Sequence, residues 1–100
     1  MSEEIVYKYE LRAQTRFKKH LKLIAKRNRD YANKVMATVE LLARGEMLPE
    51  RCHDHALTGN WAGHRECHVL PDLLLIYRIL ENILILELVD TGTHSDLFKN

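Results

Sequence analysis

Between Gly63 and Pro71 the sequence GHRECHVLP sets His64, Glu66 and His68 at alternate positions, with Arg65 and Cys67 between them. Read as a strand, that spacing turns His64, Glu66 and His68 to one face and Arg65, Cys67 and Val69 to the other. Same-face neighbours are then about 6.5–7 Å apart. Histidine exchanges protons near neutral pH, and a carboxylate beside it orients the ring and raises its basicity. The trio suits general acid–base chemistry. His55 before it, Asp72 at the start of the next apolar run and His94 in the tail could converge on the same face. A zinc centre is the other use for such residues, drawing on Cys52, His53, His55, Cys67 and His68. However, Cys67 and His68 are adjacent and point to opposite faces of a strand, and no spacing matches a zinc-ligand pattern. The expectation is therefore no metal and no other cofactor. Taken singly, each residue also has a plain reading: a solvated histidine, a surface Glu66, an Asp72 that shapes a turn after Pro71.

These groups need elements to hold them. IVYKY at 5–9 is rich in β-branched and aromatic residues and suits a short strand. From about 10 to 27 the spacing is helical, with Phe17, Leu21 and Ile24 on one face. Residues 28–30 form a break with Asp30 as N-cap. A second helix over 31–44 carries Tyr31, Val35, Val39 and Leu42 on one side and closes at Gly45. Residues 46–61 show no periodicity and read as a loop ending in Trp61, a core or lid aromatic. Leu73 to Ile79 is apolar on both faces apart from Arg78, as in a central strand covered on two sides. Glu81-Asn82 makes a tight turn, Ile83 to Val89 returns, and Gly92 ends that strand. The order is β-α-α-β-β-β. Two helices on one face of a small antiparallel sheet make an α+β domain spanning residues 1–100; strand order is left open.

One hundred residues allow one core. The net charge of +1 conceals an asymmetry. Residues 8–34 hold ten Lys or Arg against Glu10 and Asp30, whereas residues 51–100 hold four against seven acids. At 100° per residue Arg12, Arg16, Lys19, Lys22 and Lys26 fall within an arc of about 120°, interrupted by Leu23. That face suits an anion, or is simply solvated. No apolar run is long enough to cross a bilayer, and MSEEIVYKYE does not resemble a leader. Cys52 and Cys67 read as free thiols of a cytoplasmic protein.

DHALTGNWAGHRECHVLPDLLLIYRI, followed by TGTHSDLF, resembles the YafQ group of bacterial toxins in the RelE/ParE superfamily. The likeness runs over residues 53–98 through the pattern D-H-x-L-x-G-x-W-x-G-x-R-[DE]-x-H-x-x-P-D-x-x-L-I-Y and the ending G-T-H-x-x-L-F. It implies a RelE-like fold and a ribosome-associated mRNA interferase neutralised by a cognate antitoxin. Its catalytic positions carry over as His55, Glu66, His68, Asp72, His94 and Phe98. Glu66 stands where aspartate also occurs, and His64 where tyrosine is frequent. The implied reaction needs no metal, because the RNA 2′-hydroxyl is the nucleophile. His94 is then the general acid and His68, supported by Glu66 or Asp72, the base. His55 or Arg65 holds the phosphate, with strand alternation favouring His55, and Phe98 stacks on a base. Arg65 and the basic helix face would contact mRNA and rRNA phosphates. A non-enzymatic toxin of the gyrase-inhibiting ParE kind is the rival reading.

Overall fold

The computed structural model describes residues 4–98. Residues 1–3 and 99–100, the two ends of the expected 1–100 domain, lie outside the described residues. The chain runs β1 (Glu10–Ala13), α1 (Thr15–Arg27), α2 (Arg29–Ala43), β2 (His55–Ala56), β3 (Arg65–Leu70), β4 (Leu73–Leu80), β5 (Ile85–Gly92) and α3 (His94–Leu97), with single 3₁₀ turns at Glu50–Cys52, Gly59–Trp61 and Glu81–Ile83. The sheet order is β1-β5-β4-β3-β2.

β2 to β5 pair antiparallel, but β1 lies parallel to β5. The sheet is mixed where an antiparallel one was expected. A parallel neighbour needs a long crossover, and here everything between β1 and β5 serves as one, so no hairpin dictates the direction. The first strand is ELRA rather than IVYKY, whose Ile5, Val6 and Tyr7 are exposed. Consequently Arg12 belongs to β1, off the helix, and the basic helical face reduces to Arg16, Lys19, Lys22 and Lys26.

Asn28, not Asp30, caps α2. Its Oδ1 accepts from the amides of Asp30 and Tyr31 at 3.0 and 3.3 Å, which leaves the Asp30 carboxylate in the first turn, where the helix dipole favours it. Gly45 ends α2 as expected: at φ 83° its amide donates to Leu42 O and that of Glu46 to Leu41 O, a Schellman closure.

Phe17 of α1 and Val35, Val39 and Leu42 of α2 pack on Cys67, Leu75, Tyr77, Leu86 and Leu88 of the sheet. The other face buries Leu74, Ile76 and Val89 under Leu97, with Leu57, Trp61 and Phe98 around them. β4 is thus covered on both faces, as its unbroken apolar run predicts. A register shift between Ile76 and Tyr77 interrupts the β4–β5 ladder. With it, Val89 joins the second cluster while Asp90 reaches α1.

Candidate active site

Glu66 is 4% exposed. Its register partner on β2 is His55, and His68 follows two residues along β3. His55 Nε2 lies 3.6 Å and His68 Nε2 3.8 Å from the same oxygen, Glu66 Oε1. The far nitrogen of each ring is anchored on the main chain: His55 Nδ1 donates to His53 O at 2.6 Å and His68 Nδ1 to Pro71 O at 3.2 Å. A carbonyl only accepts, so both rings carry their proton on Nδ1 when neutral. Both Nε2 atoms then present a lone pair toward one carboxylate, too far for a hydrogen bond within the trio. Each is left to take or give a proton elsewhere. The floor is apolar, since Ile76 and Leu74 pair with Glu66 and His68 and are fully buried. Polar contacts beside such a floor are strengthened.

His64 lies just before β3 and does not join the trio. Its ring meets Trp61 edge-on at 5.5 Å between centroids. Trp61 meets Phe98 at 6.3 Å, and Phe98 meets His94 at 5.3 Å. A row of rings therefore runs from His64 to His94 beside the apolar floor. His94 is exposed as the first residue of α3. A capping box sets that turn: Thr93 N donates to Asp96 Oδ2 at 3.0 Å and Asp96 N to Thr93 Oγ1 at 3.2 Å. A Cβ on Gly92 would stand 2.9 Å from Asp96 Cβ, so only glycine fits before this cap.

Asp72 is exposed in the turn after Pro71, whose carbonyl holds His68. It walls a neighbouring cavity of about 470 Å³ together with Arg27, Tyr31, Thr93 and Asp96. Arg65 is not brought to the trio. It forks onto Asp54 at 3.4 and 3.3 Å, and Tyr77 donates to the same carboxylate at 2.5 Å. Its register partner is Tyr77, on the helix-covered side. Arg65 is a clamp on the segment before β2, and its position lends no support to the RNA contact expected of it. Burial, and then Asp54, push the Tyr77 hydroxyl well above its ordinary range. Burial likewise pushes the Cys67 thiol up, so it stays protonated within the core. Among the described residues no three His, Cys, Asp or Glu side chains are disposed to hold one ion.

Two residues escaped sequence reasoning. His20 of α1 contacts Asp90 Oδ1 through Nδ1 at 2.5 Å, while Arg16 Nη2 lies 2.9 Å from Oδ2. Arg16, expected on the RNA face, is thus half committed to the fold. His53 was weighed only as a zinc ligand, yet its ring packs edge-on against His68 at 5.9 Å.

Residues 9–99 match the family described as the bacterial toxin of type II toxin–antitoxin system, YafQ. The chain is 41% identical to the mRNA interferase toxin YafQ of Escherichia coli strain K12 over 83 residues, 82% of this chain and 87% of that protein. Among solved structures it is similar to YafQ from E. coli strain BL21(DE3), with a TM-score of 0.82 and 35% identity over 90% of this chain and 98% of that one. It is equally similar to a chain of the E. coli DinJ–YafQ complex, with a TM-score of 0.81 and 36% identity over 90% and 98% of the two chains.

Proposed function

The chain belongs to the YafQ family of bacterial toxins of type II toxin–antitoxin systems, and we propose that it is an endoribonuclease that cuts mRNA through attack of the RNA 2′-hydroxyl on the adjacent phosphorus. The observation that carries this reading is the convergence of His55 and His68 Nε2 on buried Glu66, each ring fixed from behind by a carbonyl. RNA brings its own nucleophile, so the protein needs a base, an acid and positive charge for the phosphorane.

His68 is the base. Its Nε2 lone pair takes the 2′-hydroxyl proton, and Glu66 stabilises the imidazolium that results. His55, the more exposed ring of the trio, holds the phosphate when protonated. The 2′-oxygen bonds to phosphorus as the bond to the 5′-oxygen breaks, and His94 delivers the proton to that leaving oxygen. Products are a 2′,3′-cyclic phosphate and a 5′-hydroxyl. Phe98, tilted against His94, offers a face for a nucleobase. Asp72 acts from the turn that holds His68. No metal is required for this sequence of steps.

The substrate is mRNA on the ribosome. Lys19, Lys22 and Lys26 are exposed on α1 and meet rRNA phosphates, which confers salt dependence without sequence preference. The complex of the E. coli relative with DinJ points to a cognate antitoxin as partner here as well. Among the described residues no helix is long and apolar enough to cross a membrane, in keeping with action in the cytoplasm. A ParE-like inhibitor would not need the histidine trio. Translating ribosomes incubated with the protein should yield mRNA fragments ending in a cyclic phosphate and beginning with a 5′-hydroxyl. Intact mRNA alongside arrested replication would overturn the reading in favour of the inhibitor.

A further inference from the structure

Beside His68 lies a second cavity, of about 350 Å³, walled by Arg51, His53, His68, Val69, Leu70 and Pro71. Its polar walls are one guanidinium and two imidazoles, with no carboxylate among them. Arg51 is exposed and enters no ion pair among the described residues. His53 sits at φ 45°, ψ 47°. Residues other than glycine seldom adopt that left-handed conformation, and such outliers concentrate at functional sites. The conformation gives His53 two contacts with the site: its carbonyl accepts from His55 Nδ1, and its ring stands edge-on to His68. The carbonyl contact positions a catalytic ring. The side chain faces the cavity with Arg51, and nothing in the reaction described above uses it.

We propose that Arg51 and His53 form a subsite for a phosphate of the RNA strand next to the one that is cut. This rests on the ribonuclease reading and adds a second grip on the strand. Arginine presents a rigid fork of donors that matches a phosphate, and the His53 ring supplies a further N–H. A strand held at one phosphate alone can slide or rotate. Held at two, it presents a defined 2′-hydroxyl to His68.

The test uses the full-length protein and a trinucleotide with 2′-O-methyl riboses, which cannot be cut. Arg51→Gln removes the charge, and His53→Asn removes the ring. Asparagine takes the left-handed conformation readily, so the carbonyl under His55 stays in place. The double variant should bind the trinucleotide about tenfold more weakly, the scale of one charge-assisted hydrogen bond. Its slope of log affinity against log salt should be shallower by about 0.7 for each phosphate that is no longer neutralised. Arg51→Lys, made alone, should keep the wild-type slope. On translating ribosomes the double variant should raise KM more than it lowers kcat. Unchanged affinity and slope, or a trinucleotide that leaves the Arg51 and His53 NMR signals of the wild type unshifted, overturns the subsite. Cut mRNA with an unchanged slope removes the subsite alone. A shallower slope in a protein that cuts no mRNA keeps the subsite and removes the ribonuclease reading.

Discussion

Glu66 and Asp90 are both buried carboxylates with a histidine against them, 4% and 1% exposed, yet their surroundings are opposite in kind. Asp90 is a residue of β5 whose side chain meets α1. Its Oδ1 meets His20 at 2.5 Å and the Thr91 amide at 2.9 Å. Its Oδ2 has Arg16 at 2.9 Å, off the N–H direction, so that contact is ionic and not a hydrogen bond. This cluster is closed, and it ties the first helix to the last strand. Glu66 has two imidazoles at 3.6 and 3.8 Å, neither bonded to it, and both rings reach solvent. The difference lies in slack. At Asp90 one ring is bonded straight to the carboxylate through Nδ1, whereas at Glu66 two rings, each held at Nδ1 by a main-chain carbonyl, turn unbonded Nε2 atoms toward a single carboxylate. Two free ring nitrogens beside one carboxylate suit the transfer of a proton to and from a substrate.

The largest effect should come from breaking the open cluster. Glu66→Gln keeps the shape and removes the charge that stabilises a protonated His68. Cleavage should fall by about 10²- to 10⁴-fold, the range of a general acid–base partner. Melting temperature should move by less than about 2 °C, because among the described residues no hydrogen bond of the fold ends on the Glu66 carboxylate. Single-turnover cleavage on ribosomes and thermal melts check both halves. Wild-type cleavage by this variant would make Glu66 a bystander and move the search for a base to His55 or Asp72.

Breaking the closed cluster should do the reverse. Asp90→Asn leaves Arg16 and His20 without their counter-charge, at a cost of about 1–3 kcal/mol. For a chain of this size that lowers the melting temperature by about 5–15 °C. Cleavage per folded molecule should stay at the wild-type level. If Asp90→Asn instead abolished cleavage at an unchanged melting temperature, the division between a structural and a chemical cluster would collapse.

The two clusters were also unequally legible. Glu66 and His68 share a face because strand alternation is a local rule, and β3 obeys it through Arg65, Cys67 and Val69 on the opposite side. The apolar run of β4 announced burial on both faces for the same local reason. His55 is brought to Glu66 by pairing of β2, a two-residue strand with no pattern of its own, so the sequence offered it only as one of three residues that could converge on that face. His20 and Asp90 are 70 residues apart and meet through a register shift in β5, for which no sequence signal exists. β1 was misplaced because IVYKY has the better strand propensity, while the free edge of β5 recruits ELRA. Tertiary pairing overrides propensity in short strands. His64 fell out of the trio because β3 starts one residue later than alternation alone could say.

The smallest effect concerns a third carboxylate, Asp96, which positions His94, the proposed general acid, without touching it. The Thr93 backbone amide, donating to Oδ2, holds its carboxyl below the ordinary value of 3.8, against a weaker opposing effect of burial. A depressed folded-state pKa means that its contribution to stability is fully present above 3.8 and is lost as pH falls below that value. Asp96 is exposed, so solvent screening keeps the contribution small. What it stabilises is the single turn of α3 that aims His94. In wild type the amide of Thr93 should therefore lose hydrogen-exchange protection as pH drops below 3.8, ahead of any change in the sheet. Asp96→Asn should remove that acid dependence while Asn still accepts from Thr93, and at neutral pH its melting temperature should lie within a degree or two of wild type. If the Thr93 amide of wild type showed the same protection on both sides of that range, the cap would not be what fixes His94. The aromatic contact with Phe98 would then have to carry the aim of His94.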